Sequence, residues 1–198
     1  MAVMREILFA SNNDHKVQEV RMLLPHGYSL LGLRDIQWTM EIPEPFDTYE
    51  ANAKAKTYFV FDRTGLSCFA DDSGLEVDAL DGRPGVYSAR YAGDDRKPGD
   101  NIKKVLAELE GKSNRKARFH SVIAYINESR EMQLFSGTVE GTITNEQRGT
   151  GGFGYDPIFI PDGFDLTFGQ LPDVIKNKIS HRALAMQHFV DFLKQPGL

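Results

Sequence analysis

Cysteine is nearly absent from this chain of 198 residues, which has one, Cys68. A single cysteine cannot form an internal disulfide, so we expect a reducing compartment. The sequence also lacks an apolar run close to the roughly 20 residues that a membrane-spanning helix needs. Its first residues, MAVMREILFA, are too short and too charged for a signal peptide. We therefore predict a cytoplasmic protein that does not cross a membrane.

An excess of positive charge is missing as well. The formal net charge is -5 at pH 7, with 41% hydrophobic and 26% charged residues. This balance argues against a general binder of nucleic acid or of anionic membranes, and the composition is ordinary for a globular protein. No repeat, low-complexity tract or long linker divides the sequence. We predict one domain over residues 1–198, large enough to bury a substantial core.

The order of the periodic segments predicts the fold class. Helix-like and strand-like segments alternate early in the chain, and two long strand-like segments, 116–127 and 132–144, then form a hairpin signal. The second helix is predicted to begin after Asp47 or Thr48 and to end before Gly65. This order predicts an α/β fold built around a mixed sheet.

Two neighbouring acids, Asp71 and Asp72, interrupt an apolar part of the sequence. The run 66–68 predicts a buried strand, Gly74 permits a sharp turn, and 75–80 predicts a second strand, so we expect both acids at a strand end. Adjacent carboxylates repel each other unless a cation or a proton lies between them, and Mg²⁺ prefers oxygen ligands. An Asx-type turn without a metal is the alternative, and this stretch alone favours the turn.

Basic side chains occur where they could bind an anion. Lys16 lies in the first turn of the first predicted helix, and Lys176, His181 and Arg182 surround the start of the last one. A helix start offers unpaired N–H groups to an anion, and a cation there opposes the helix dipole unless something negative is bound nearby. Lys56 lies beside the apolar seam of the second helix, where it extends to water or reaches a phosphate in a cleft. Solvated basic side chains next to ordinary helix caps are the alternative.

The glycine-rich stretch GTGGFGYDP at 149–157 contains the pattern GxGxxG. The dinucleotide-binding fingerprint requires a helix directly after the glycines, whereas Pro157 and an apolar strand-like run follow here, so we reject that interpretation. Glycines beside Phe153 and Tyr155 can instead let a flat ring approach the backbone and stack. A glycine-rich turn with two core aromatic residues fits the sequence equally well.

Five motifs, in this order, resemble those of one family: SNNDHK, NAKAK, FADDSGLEVDALDGRPGVYSARYAG, GTGGFGYDPIF and KNKISHRALA. They span nearly the whole chain and are similar to those of Ham1/RdgB-type inosine triphosphate pyrophosphatases. The resemblance implies Mg²⁺-dependent hydrolysis of ITP, dITP, XTP and dXTP to the monophosphate and pyrophosphate, which removes these non-standard purine nucleotides from the nucleotide pool. It also implies a homodimer and a long mixed sheet flanked by helices, with an active-site cleft between two lobes.

The resemblance further implies roles for individual residues. Asp72 would be the catalytic base and a metal ligand, Glu44 would be a second ligand, and the role of Asp71 stays open. The substrate would be bound by Ser11, Asn12, Asn13, Asp14, His15, Lys16, Lys56, Ser73, Phe153, Gly154, Tyr155, Asp156, Lys176, His181 and Arg182. Of these, the members from 153–156 with His181 and Arg182 would hold the base, and the others the triphosphate or the sugar.

Two other functions stay open on the sequence. A general Mg²⁺-dependent nucleotide hydrolase with another base preference would use the same carboxylates. A non-catalytic nucleotide-binding module would bind the nucleotide without turnover. In either case no nucleic-acid or membrane partner is expected.

Overall fold

The computed structural model describes residues 4–195, apart from the side chain of His15. Strands and helices alternate over the first half of the described chain, and a long hairpin follows. The elements are β1 Arg5–Phe9, α1 Asp14–Leu23, β2 Tyr28–Gly32, α2 Tyr49–Thr64, β3 Cys68–Val77, α3 Pro98–Glu108, β4 Lys116–Ile126, β5 Met132–Ile143, β6 Phe159–Pro161, α4 Asp173–Ile179 and α5 His181–Leu193.

The strands of the described residues form one sheet in the order β2-β1-β3-β4-β5-β6. Strand β1 runs parallel to both β2 and β3, whereas β6 runs antiparallel to β5. Helices cover the sheet through apolar contacts, as where the ring of Phe189 on α5 lies 5.0 Å from that of Phe69 on β3. The prediction of an α/β fold with a mixed sheet flanked by helices is confirmed.

The contacts divide the chain into two compact units. The first contains the residues up to Asp72, Ser121–Ser136 and the residues from Ala185 onward. The second contains Ser73–His120 and Gly137–Leu184. Strands β3, β4 and β5 each contribute residues to both units.

Two apolar clusters make up the core of the first unit, and β3 contributes to both. Phe69 belongs to one cluster, together with residues of α1 and α5. Cys68 and Ala70 belong to the other, together with residues of α2. Successive side chains of a strand point to opposite faces of the sheet, which explains this division. By the same alternation, Asp71 continues the side of Phe69, and Asp72 continues that of Ala70.

Helix α2 begins and ends where local signals predict. The Thr48 side chain accepts a hydrogen bond from the backbone N–H of Ala51 at 3.2 Å, which satisfies one of the free donors of the first turn. Gly65 has φ 67 and its N–H bonds to the carbonyl of Phe61. The left-handed conformation costs glycine little, so the helix ends there.

Two local predictions are wrong. The structure has one continuous strand, Cys68–Val77, where a strand, an acidic turn and a second strand were expected. Strand β3 lies between β1 and β4 in the sheet. Its register with β1 covers only Cys68 and Phe69, so the part of the strand that contains Gly74 continues beyond β1, with β4 as its neighbour. The second error is that α4 was not predicted. Lys176 lies in this helix. Helix α4 ends at Ile179, and the hydroxyl of the next residue, Ser180, accepts from the N–H of Ala183 at the start of α5.

Candidate active site

Strand β3 presents its two acids to different helices. Both oxygens of Asp71 lie 2.9 Å from Nζ of Lys16 on α1. Asp72 is approached instead by Asn52 and Lys56, which both lie on α2. These partners agree with the alternation along the strand, so the two acids are not a side-by-side pair at a strand end. The expected placement is therefore corrected: Asp71 contacts Lys16, whereas Asp72 contacts Lys56.

Asn52 and Lys56 lie four residues apart on α2, so they share one face of the helix. Asn52 donates from Nδ2 to Oδ2 of Asp72 at 3.1 Å, and Nζ of Lys56 lies 3.6 Å from Oδ1. The same ammonium donates to Oε1 of Glu44 at 2.6 Å. Lys56 is 6% exposed, so it reaches inward to carboxylates and does not extend to water. We call Glu44, Asn52, Lys56 and Asp72 the Asp72 site.

Burial and the nearby charges of opposite sign shift the pKa values of Asp72 and Lys56 in opposite directions. Burial raises the pKa of the Asp72 carboxyl above its usual value, and the ammonium groups of Lys56 and Lys16 oppose that rise. Burial would lower the pKa of Lys56, but the charges of Asp72, Glu44 and Asp71 raise it above its ordinary value. Lys56 therefore stays an ammonium and offsets part of the negative charge of the site.

The donor set of the Asp72 site fits Mg²⁺. Glu44 and Asp72 converge on one ammonium, Nζ of Lys56, so their oxygens face a common point. Mg²⁺ is commonly held by one or two carboxylates and keeps several waters or phosphate oxygens. Within residues 4–195, no group of three or more His, Cys, Asp or Glu side chains is arranged to hold a metal. The two carboxylates would thus leave most metal positions to water and substrate.

The segment 11–16 leads into α1 and includes its first three residues. Ser11 Oγ accepts from the N–H of Asn13 at 3.2 Å, and Asn13 Oδ1 accepts from the N–H of Lys16 at 3.3 Å. The capping alternative is therefore confirmed for Asn13, whereas the Ser11 hydroxyl bonds within the loop before the helix, and Lys16 contacts Asp71. A phosphate role for the segment stays a prediction.

The remaining members of that segment are at the surface or outside the described part. Asn12 is exposed. Asp14 forms an ion pair with Arg34 at 3.1 Å, and both side chains are exposed. The side chain of His15 is not among the described atoms, so its predicted role stays a prediction.

A buried ion pair organises the glycine-rich segment of the second unit. Asp156 Oδ2 lies 2.8 Å from Nζ of Lys176, and both side chains are 5% exposed. The same oxygen accepts from the N–H of Phe153 at 2.7 Å. Gly152 has φ +69, and a Cβ there would lie 2.1 Å from this oxygen. Asp156 therefore ties the glycine-rich segment to α4.

Phe153 lies beside two cations. Nζ of Lys176 is 4.6 Å and Cζ of Arg182 is 5.4 Å from the centroid of its ring. Arg182 is 2% exposed and donates from Nη2 to Oγ of Ser73 at 3.3 Å. The electron-rich face of an aromatic ring attracts such cations. We call Ser73, Phe153, Asp156, Lys176 and Arg182 the Phe153 site.

His181 is held by an aromatic residue of β4. Its ring stacks on Phe119 with centroids 4.7 Å apart and an interplanar angle of 11°. Phe119 packs in turn on Phe159 and Phe168. The sequence analysis did not identify Phe119, because nothing in the order of residues links it to His181. The first part of β4 alternates between buried and partly exposed residues, and Phe119 is one of the buried ones. This alternation is the one local feature that marks Phe119 as an inward-facing residue.

Tyr155 and Gly154 differ from the other predicted base-binding residues. Tyr155 is buried in the apolar core of the second unit, and its hydroxyl donates to the carbonyl of Ser88 at 2.9 Å. This placement favours the alternative of a core aromatic residue. Gly154 has φ +59 and leaves open space where a Cβ would lie. Its role in binding stays a prediction.

No helix within residues 4–195 is both long enough and apolar enough to cross a membrane.

Comparisons with known proteins agree on one family. The model of the Ham1 family matches residues 7–192. A dITP/XTP pyrophosphatase of Flavobacterium johnsoniae is 48% identical over 188 residues, covering 95% of this chain and 97% of that protein. A dITP/XTP pyrophosphatase of Porphyromonas gingivalis is 49% identical over 191 residues, covering 96% and 98%.

Solved structures give the same result. The Ham1 protein of Staphylococcus aureus superposes with a TM-score of 0.88 at 39% identity, covering 96% of this chain and 98% of the other. A HAM1 protein of Coxiella burnetii gives a TM-score of 0.89 at 39% identity, with the same coverage. With the family model spanning nearly all of the described chain, this protein belongs to the Ham1 family.

Proposed function

We propose that this chain hydrolyses the triphosphates of non-standard purines, ITP, dITP, XTP and dXTP, to the nucleoside monophosphate and pyrophosphate. Two relatives close to half identical to it are named dITP/XTP pyrophosphatases. The structural observation that carries the proposal is the buried Asp72, held by Asn52 and Lys56 opposite Glu44. This reaction would remove such nucleotides from the pool available for polymerisation.

The Asp72 site supplies groups that this reaction needs. Water attacks the α-phosphorus, a new P–O bond forms, and the bond to the leaving pyrophosphate breaks while the water proton passes to a base. Burial raises the pKa of Asp72, which makes its carboxylate a stronger base than an exposed aspartate. The ammonium groups of Lys56 and Lys16 offset negative charge close to it. Mg²⁺, which we propose is held by Glu44 and Asp72, would supply further charge neutralisation on the phosphates.

The Phe153 site suits recognition of the base. Hypoxanthine and xanthine carry a 6-keto oxygen, which accepts hydrogen bonds, whereas adenine carries a 6-amino group, which donates them. Arg182 and Lys176 have donors only. A buried donor facing the adenine amino group would leave both unpaired, at a cost of about 1–3 kcal/mol. We propose that Arg182 donates to the 6-keto oxygen and that Phe153 stacks on the base.

The experiment is a nucleotide panel on the wild-type protein and on Asp72→Asn, with and without Mg²⁺. We expect pyrophosphate release from dITP and XTP, little from ATP, and none after chelation until Mg²⁺ is restored. Asp72→Asn should lower kcat about 10²- to 10⁴-fold, the range of a general base. The control Asp78→Asn changes an acid that pairs with Arg118 outside the site, and it should keep its kcat.

The outcomes separate the alternatives. Release of orthophosphate, or equal turnover of ATP and dITP, would indicate a general nucleotide hydrolase. Tight binding of dITP with no Mg²⁺-dependent turnover would indicate a binding module. Near-normal kcat in a folded Asp72→Asn protein would remove Asp72 from the reaction.

We further propose that the protein is a homodimer in the cytoplasm and does not bind nucleic acid. The similarity of its motifs to those of the family supports the dimer. The net charge of -5 supports the absence of a nucleic-acid partner, and the lone, buried Cys68 supports a reducing compartment. Sedimentation of the purified protein tests the dimer directly.

A further inference from the structure

Asn52 is a buried side chain that joins two parts of the Asp72 site. It is 1% exposed. Its Oδ1 accepts from the N–H of Phe46 at 2.9 Å, and its Nδ2 donates to the carbonyl of Phe46 at 3.0 Å. Nδ2 also donates to Oδ2 of Asp72 at 3.1 Å. Only Oδ1 can accept from an N–H, so these partners allow a single orientation of the amide.

The arrangement holds the Asp72 carboxylate at both oxygens. Asn52 binds Oδ2, and Lys56, one helical turn further along α2, lies 3.6 Å from Oδ1. A carboxylate approached at both oxygens cannot rotate without loss of one contact. The same two residues also contact the segment before α2, Lys56 through Glu44 and Asn52 through Phe46.

We propose that Asn52 is a positioning residue that sets the orientation of the Asp72 carboxylate and fixes the segment carrying Glu44. The inference rests on the proposed function, since Asp72 must take part in the reaction for its orientation to matter. In this role Asn52 does not bind the nucleotide, and its contact is with Oδ2 of the carboxylate that it orients. It acts through Asp72 and through the backbone of Phe46.

A second buried asparagine shows what a purely structural role looks like. Asn101 on α3 is 4% exposed, and its Oδ1 accepts from the N–H of Ala92 at 2.7 Å. Its Nδ2 donates to the carbonyl of Ala89 at 3.0 Å. Both asparagines thus bridge a helix to a loop through two backbone bonds. Only Asn52 has an additional bond to a carboxylate, so Asn101 is a matched control.

The test compares Asn52→Asp with Asn101→Asp. Each variant keeps the shape of the side chain and removes its N–H donors, and Asn52→Asp also puts a second carboxylate beside Asp72. We expect kcat for dITP at saturating Mg²⁺ to fall about 10- to 100-fold in Asn52→Asp, because misplacement of a reacting group by about 1 Å has effects of this size. KM should change less than about threefold, since the nucleotide is not contacted. Asn101→Asp should lower the melting temperature and keep kcat.

A second readout does not depend on activity. The stability of the metal-free protein is measured by urea unfolding for Asn52→Ala, Asp72→Asn and the double variant. Residues in direct contact give non-additive changes, so the double variant should lose less stability than the sum of the two single losses. Additive losses would overturn the inference. The alanine variant also replaces Asn52→Asp in the kinetic comparison, against Asn101→Ala, if the aspartate variant does not fold.

The results distinguish this inference from the proposed function. If Asp72→Asn keeps its turnover, the role of Asp72 fails. If Asp72→Asn is inactive while both Asn52 variants keep a normal kcat, only the positioning role fails. Equal losses of kcat in the Asn52 and Asn101 variants would also overturn it, because a general structural effect would then account for both.

Discussion

The buried pair Asp156 and Lys176 offers a quantitative test of the site in the second unit. The two charged atoms lie 2.8 Å apart, and each side chain is 5% exposed. Replacement of one partner removes the charge that lies 2.8 Å from the other, and breaking a buried pair in this way typically costs about 3–5 kcal/mol. We therefore expect Asp156→Asn and Lys176→Met each to lower the free energy of unfolding by about this amount.

The double variant separates pairing from other effects. With both charges removed, no uncompensated charge stays buried at this pair, and Lys176→Met keeps most of the apolar volume of the lysine side chain. Exchange of a buried pair for uncharged residues of similar size is often neutral, so the double variant should be more stable than either single variant. Any stability that the double variant still loses relative to the wild-type protein should come from the weakened bond between the N–H of Phe153 and the side chain at position 156.

The assay is urea unfolding followed by circular dichroism, with the midpoint compared at constant slope. An exposed pair on α3, Asp100 and Lys103, is the control, with 52% and 75% of the side chains exposed. Asp100→Asn and Lys103→Met should change stability by less than about 1 kcal/mol, because water screens such pairs. The reasoning is refuted if the buried variants behave like the exposed ones, or if the double variant loses the sum of the single losses.

Gly152 and Cys68 give two further predictions. Gly152→Ala should destabilise the protein far more than Gly163→Ala, since both positions have positive φ but only a Cβ at 152 would lie 2.1 Å from Asp156. Thermal unfolding of both variants checks this, and equal losses would contradict the close approach of Asp156 to position 152. Burial raises the pKa of the Cys68 thiol to about 12, so the folded protein should not react with a thiol reagent at pH 8. Rapid labelling without urea, compared with labelling of the unfolded chain, would contradict its burial.

Local signals in the sequence were sufficient for much of the fold. Thr48 and Gly65 delimit α2 because a capping hydroxyl and a left-handed glycine act within a few residues. The hairpin of β4 and β5 agrees with its prediction to within one residue at each end, because long alternating segments carry their own pattern. The motif resemblance identified the family for the same reason, since the motifs are contiguous in the chain.

Contacts between distant segments decided the rest. Gly74 permits a turn, but β3 continues through it beside β4, and the continuous strand places Asp71 and Asp72 on opposite faces. The sequence by itself determined the class of fold, the two ends of α2 and which acids and lysines are available. Only the tertiary structure decided that Lys16 meets Asp71 while Asn52 and Lys56 meet Asp72. These partners lie 16 or more positions apart, so their meeting depends on packing of helices against the sheet, which no local pattern encodes.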